Sequence, residues 1–444
     1  MVEAMKKSLR DSAAARWSAL GVVSIIMFCG YYFDKATSAF KTALVATGWT
    51  SVDFGFFKSA YGWLNVFAFM LIIGGIILDK KGVRFTGILA SLVMVFGVAI
   101  CWFALVSGFP IKTQVWGAAI GFSFFGMGVE VAGITVSKVI VKWFKGKELA
   151  TAMGLQLAGA RMGTAVGLAA AMPIALKYGV AAVAFLGLVL LVMGTIAFIL
   201  YCGMDKKLDA SEPQVAVAKE DAFKLKDILE ILKNKGFWLI ALLCLIFYSG
   251  VFPFLDYATD LMVQKYHVSE SLAGLIPALL PFGNILLTPV FGTIYDRKGK
   301  GASIMILGAF LLVFVHIIFA IPAFSHWLVA VGAMLLLGVA FSLVPSAMWP
   351  SVPKLIPEKQ LGTAYSMIFF TQNIGLMGVP YLIGWVLDRF CRLPSVGGKV
   401  AYNYTLPMII FLCFGVIAVY VAFLLKADDR KKGYGLEMPN IKRS

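Results

Sequence analysis

Apolar stretches separated by short polar turns recur along this chain from Trp17 to Lys426. A helix of about 20 apolar residues crosses the ~30 Å hydrocarbon core of a bilayer. Hydropathy and loop charge together predict spans at 17–46, 55–78, 85–106, 114–141, 148–176, 180–203, 236–263, 270–294, 302–321, 327–350, 360–387 and 403–425. The longest polar interval is 204–235, rich in Lys, Asp and Glu. It divides the chain into a six-helix bundle at 1–203, a cytoplasmic linker at 204–235, and a second six-helix bundle with a tail at 236–444. The predicted fold class is an all-α polytopic membrane protein with twelve transmembrane helices.

The two halves echo each other. Gly75-x-x-x-Asp79-Lys80-Lys81-Gly82 after span 2 is answered by Gly292-x-x-x-Asp296-Arg297-Lys298-Gly299 after span 8. Asp34-Lys35-Ala36-Thr37 in span 1 is answered by Asp256-Tyr257-Ala258-Thr259 in span 7. Matches in the same order argue for a duplicated six-helix unit, hence two pseudo-symmetric bundles. Repeats of this kind place a binding site between the halves near the midplane.

Composition excludes a water-soluble globule. The 444 residues are 60% hydrophobic and 14% charged, against roughly 45–50% and 25% for soluble domains. The net charge of +16 points to no nucleic-acid partner, because most of the Lys and Arg fall in the termini and every second loop. That is the positive-inside bias, and it puts both termini in the cytoplasm. The polar stretch Met1–Arg16 has no short apolar core of a signal peptide, so the first span is expected to direct insertion. Five of the six cysteines lie in apolar spans, and no metal or disulfide spacing is present. No metal or cofactor is expected.

Gly75-x-x-x-Asp79-x-x-Gly82-x-Arg84 resembles the loop 2–3 signature of the major facilitator superfamily, and Gly292-x-x-x-Asp296-Arg297-x-Gly299 is its second copy, with Gly301 where a basic residue is usual. In such a loop the glycines let helix ends approach, and the acid accepts from a helix N-terminus or an arginine as a breakable latch; the plainer alternative is an acid that caps a tight turn. The run Trp143-Phe144-Lys145-Gly146-Lys147-Glu148-Leu149, followed by Gly154-Leu155-Gln156-Leu157 and Ala160-Arg161-Met162-Gly163, resembles the lysosomal dipeptide uniporter branch and its bacterial relatives.

Charges in an apolar span cost roughly 2.5–3.5 kcal/mol each on insertion scales, so they face a cavity or a partner. Glu130 and Arg161 lie ~18 and ~21 Å from the cytoplasmic ends of adjacent antiparallel spans at a helical rise of about 1.5 Å per residue. They form either a clamp for a zwitterion, Arg161 taking a carboxylate and Glu130 an ammonium, or a mutual ion pair. The resemblance implies the clamp, since the matching acid and arginine of that branch bind the two peptide termini.

Asp34, Ser38 and Lys41 share one face of span 1, and Asp256 and Asp260 share one face of span 7. Lys35 or Lys41 is expected to pair with a span 7 aspartate in one state, and a protonatable Asp34 or Asp256 would couple proton movement. Lys138 shares the Glu130 face and is expected to neutralise a cytoplasmic-side acid. Tyr31, Tyr257, Asn284, Gln372 and Asn373 are further candidates for contacting a substrate, with aromatic packing or interhelical bonding as the alternative. His316 is expected to be structural.

The expected function is a monomeric transporter working by alternating access on dipeptides or other small zwitterions. The alternatives are a porter of small organic anions and a non-transporting receptor or scaffold. Expected partners are the substrate, the lipid bilayer and, if transport is coupled, protons. Compact loops favour a bacterial inner membrane over a lysosome.

Overall fold

The computed structural model describes residues 9–144, 147–211, 231–357, 360–396 and 399–440. Most of the expected linker lies outside the described residues. Among those described, eleven helices are long and apolar enough to cross a membrane. Span 1 is Ala13–Ala39, span 4 Ile111–Phe144, span 5 Leu149–Tyr178 and span 6 Val180–Ser211. Span 8 is Leu275–Lys298, span 9 Gly301–Ala320, span 10 Trp327–Leu355, span 11 Leu361–Phe390 and span 12 Thr405–Lys432. Large apolar side chains such as Phe96, Phe103, Phe310 and Val416 are exposed on the outside of the bundle, where lipid tails replace water and hydrocarbon exposure costs nothing.

The remaining two helices hold the departures from regular spans. Span 2 is assembled from Ser51–Ser59, a 3-10 turn at Ala60–Gly62, Trp63–Phe67 and the start of Met70–Val106. The chain breaks at Phe69, whose φ is +52°, and turns again at Gly82, where φ is +77° and span 3 begins. Span 7 is also broken, into Lys235–Ser249 and Phe252–Gln264. Pro253 has no N–H to give to the carbonyl of Ser249, which ends the first segment there. His316 Nε2 lies 2.9 Å from the carbonyl oxygen of Gly250 at this break, a structural role as expected.

Span 6 runs past its expected end at 203 to Ser211, which buries Asp205 inside the helical layer. Asp205 accepts from Lys142 (2.8 Å), from Tyr201 (3.0 Å) and from the indole of Trp143 (3.3 Å). The Trp-Phe start of the span 4–5 motif is thereby anchored on span 6.

The halves meet on the outer side. There span 2 lies against span 11, with no room for a Cβ at Gly384 beside the carbonyl of Ser51, and with Gly55 facing the carbonyl of Pro380. Asp388 at the end of span 11 accepts from the Val52 N–H (2.6 Å) at the start of Ser51–Ser59 and from Tyr402 Oη (2.7 Å). Such an acid satisfies an unpaired N–H and the positive end of the helix dipole together. Span 8 meets span 5 in the same way, Gly274 against the carbonyl of Leu168.

On the side that the charge bias puts in the cytoplasm, the described ion pairs stay within one half. Asp79 pairs with Lys138 (2.6 Å), and Arg84 with Asp209 (2.9 Å) and Asp205 (3.5 Å). Lys138 thus meets the acid expected of it. Asp296 accepts from Asn440 of the tail (2.7 Å). A Cβ at Gly301 would meet the Tyr295 ring at 2.6 Å and Leu436 O at 2.8 Å, because the tail packs there and the Gly301 N–H donates to Leu436 O (3.0 Å). A larger residue has no place there, and the second copy of the signature lacks its basic residue accordingly. The expected close approach of helix ends at Gly75 and Gly292 is not made: a Cβ at either would meet nothing within 4 Å. Arg297 points to solvent, and Gly299 takes a φ of +69° to turn into span 9. Among the described residues, the buried ion pairs and glycine contacts between the halves thus gather on the expected outer side.

Candidate functional site

Between the halves lies a cavity with ≈ 470 Å³ of space free of protein atoms, part of it open at the mouth. Tyr31, Asp34 and Lys35 of span 1, Lys58 and Tyr61 of span 2, and Glu130 of span 4 line it from one half. Phe252, Asp256, Gln372 and Leu376 line it from the other. Close helix approach builds the first of these walls. Gly126 leaves no space for a Cβ against Tyr61 O, nor does Gly163 against Phe28 O. The small residues around Glu130 and Arg161 therefore serve mainly helix packing, while Gly159 faces open space.

The outer end of the cavity is a ring of four interleaved charges. Lys35 Nζ lies 2.8 Å from Asp256 and 3.2 Å from Asp34. Lys58 Nζ lies 2.9 Å from Asp34 and 3.5 Å from Asp256. Ser38 also donates to Asp256 (2.7 Å). Further out, Lys41 pairs with Asp260 at 2.6 Å, and Thr42 and Tyr404 donate to the same carboxylate. Both expected lysines therefore hold span 7 aspartates. Burying charges is costly, but each here has opposite charges and hydroxyls within reach, which offsets the lost hydration.

Glu130 and Arg161 behave differently. Glu130 accepts from Tyr61 Oη at 3.0 Å and from the amide of Asn373, both neutral donors. Arg161 is half-buried, and its Cζ lies 5.9, 5.5 and 5.3 Å from the ring centroids of Tyr31, Phe252 and Phe341. Among the described residues no acid pairs with Arg161 and no base pairs with Glu130, so the mutual ion pair is not formed.

The other candidates divide. Tyr31, Asp34, Lys35, Asp256 and Gln372 line the cavity, and Gln372 accepts from the Cys244 thiol (3.5 Å). Asn373 sits behind Glu130, bonded to Asn65 (3.2 Å) and to Phe369 O (3.0 Å). Asn284 and Tyr257 are corrections to the expectation of substrate contact. Asn284 donates to Phe341 O (3.2 Å) between spans 8 and 10, the interhelical alternative. Tyr257 is buried in the outer seal, its hydroxyl on Pro380 O (2.6 Å) and its ring against Phe54. Tyr257 directly follows Asp256, about 100° around the same helix, so with Asp256 on the cavity it faces span 11.

Sequence reasoning missed Lys58, Tyr61 and Phe252. Lys58 had a signal, a charge inside the predicted second span, and Tyr61 follows one helical turn later. Phe252 is one of 36 phenylalanines and had none.

Comparison with known proteins agrees with this architecture. The family model of the Major Facilitator Superfamily matches residues 20–380. The chain belongs to that superfamily. It is a multi-pass membrane transporter and not an enzyme. It is 29% identical over 395 residues to the lysosomal dipeptide transporter MFSD1 of Danio rerio, covering 86% of this chain and 80% of that one. With MFSD1 of Homo sapiens the identity is 30% over 338 residues, 74% and 70% of the two chains. Among solved structures, the nucleoside transporter NupG superposes with a TM-score of 0.71 at 13% identity, covering 93% of this chain and 99% of that one. A peptide transporter POT gives a TM-score of 0.69 at 14% identity, with 93% and 94% covered. At these identities the structures show the shared fold.

Proposed function

We propose that this transporter carries dipeptides or similar small zwitterions by alternating access, with Glu130 holding the ammonium and Arg161 the carboxylate. One observation carries the reading. Asp34, Lys35, Lys41, Lys58, Asp256 and Asp260 all have ionic partners at membrane depth, whereas Glu130 and Arg161 have only neutral partners among the described residues. A carboxylate on the guanidinium fork and an ammonium on Glu130 would complete the same pairing. The relatedness to dipeptide transporters supports the same class. Compact loops favour a bacterial inner membrane as the site of action.

The test is competition against uptake of a labelled dipeptide into proteoliposomes. The competitors are the free dipeptide, its N-acetylated and C-amidated forms, and small carboxylates. Removing one partner of a buried charge pair costs about 2–5 kcal/mol, so blocking either end, or Glu130→Gln, is expected to weaken binding at least ~30-fold. Competition by carboxylates irrespective of an ammonium would replace this reading with an organic-anion porter. Binding without any flux would make the protein a receptor.

A further inference from the structure

Arg161 belongs to the N-terminal half, yet two of the three rings against it, Phe252 and Phe341, belong to the other half. We infer that Phe252 and Phe341 are specificity-determining residues, which seat Arg161 for a carboxylate and make recognition of that group a property of the two halves together. The inference rests on the clamp reading only in taking a carboxylate as the ligand of Arg161.

The geometry is built and supported. Phe252 and Phe341 meet edge to face, centroids 5.3 Å apart at 84°. Tyr248 braces both, at 5.4 Å from each ring, and its hydroxyl accepts from the Trp349 indole (3.1 Å). The Asn284 amide holds the backbone carbonyl of Phe341 (3.2 Å), so this amide acts on the site through Phe341. Aromatic faces attract a guanidinium through their quadrupole but offer it no hydrogen-bond acceptor. The five N–H donors of the guanidinium stay available in its plane, which is how a planar fork takes a carboxylate. An acid in place of either ring would occupy the donors and compete with the ligand.

Phe252 has a second neighbour. Lys35 Nζ lies 5.6 Å from the same ring centroid, and Lys35 holds Asp256 in the charge ring. One ring at the restart of span 7 therefore touches both the carboxylate-binding arginine and a lysine of the outer lock. Parting of spans 5 and 7 would remove Phe252 from Arg161, so the seat exists only while the halves are together at this level.

The experiment uses the full-length protein in proteoliposomes and the ratio of inhibition constants for alanyl-alanine amide and free alanyl-alanine. Phe252→Leu keeps apolar bulk and removes the ring; Phe252→Tyr keeps the ring. The Leu variant is expected to weaken the free acid about tenfold, to leave the amide unchanged and so to reduce the ratio about tenfold. The Tyr variant is expected to retain the wild-type ratio. Phe341→Leu should repeat the Leu result from the other side of the cage. Equal weakening of acid and amide would show general packing and overturn the inference, as would an unchanged ratio in both Leu variants. Should wild-type protein bind propionate but no dipeptide, the dipeptide reading fails. The cage then stands or falls on whether Phe252→Leu weakens propionate about tenfold. Wild-type protein that binds no carboxylate at all overturns the cage together with the clamp.

Discussion

The outer and cytoplasmic faces of this transporter are held by different chemistry. Outside, the bonds join one half to the other and are buried or half-buried: Lys41 to Asp260 and Lys35 to Asp256 in the interior, Asp388 to the start of span 2 nearer the surface, with glycines letting helix backbones touch. Inside, the described ion pairs tie each half to itself, and beside the buried network on Asp205 stand bonds that are exposed or half-exposed, as with Lys138 and Asp79 or Asn440 and Asp296. The difference teaches what a rocking carrier must break. Opening the outside means separating buried charges that have no water to turn to. Closing the inside means releasing charges already hydrated, which costs little.

The largest break in this comparison is steric. Gly384→Leu puts a side chain where the Ser51 backbone lies, and neither backbone can step aside. The outer seal should not close, and dipeptide uptake into proteoliposomes should fall by at least ~10-fold, given that overpacking costs about 1–3 kcal/mol or more. Uptake at the wild-type rate would show that the seal is not part of the cycle.

Removing one charge of the outer lock comes next. Lys41→Ala leaves Asp260 buried with only neutral donors, the hydroxyls of Thr42 and Tyr404 and the amide of Gln264, a loss of about 3–5 kcal/mol for an orphaned buried charge. Thermal melting of the purified protein should drop clearly, and the double variant Lys41→Ala with Asp260→Ala should recover part of the loss. Additive losses would mean that the pair is not coupled.

The smallest effect belongs to the cytoplasmic face. Asp79→Asn removes an ion pair whose carboxylate side chain is 65% exposed. The melting of the purified protein should change by less than ~1 kcal/mol in stability. A loss as large as that of Lys41→Ala would abolish the contrast between the two faces.

Much of this was legible in the chain because a bilayer is an unforgiving solvent. Apolar length announces each span, and a charge at depth announces a cavity or a partner. Glu130, Arg161, Asp34, Lys35 and Asp256 stood out for that reason, and Lys138 could be assigned an acid from its helical face alone. Lys58 carried the same signal but lay near the outer end of a predicted span, where a lysine also reads as a rim residue. Tyr257 was misplaced because it directly follows Asp256 and so lies about 100° around the helix from it, facing span 11 when the acid faces the cavity. Asn284 and Asn373 show the limit for amides, which bond to helices and ligands with the same groups.

What the sequence determined by itself is the solvent, the number of the crossings, the duplication and the list of charges that hydrocarbon does not tolerate alone. These follow from one-dimensional quantities: length, hydropathy and spacing. Which charge meets which, which aromatic rings lie against Arg161, and that Glu130 and Arg161 have no ionic partner among the described residues were decided only in three dimensions. Each depends on residues distant in the chain approaching within a few ångströms, and that approach is set by helix breaks, glycine contacts and the tilt of one half on the other.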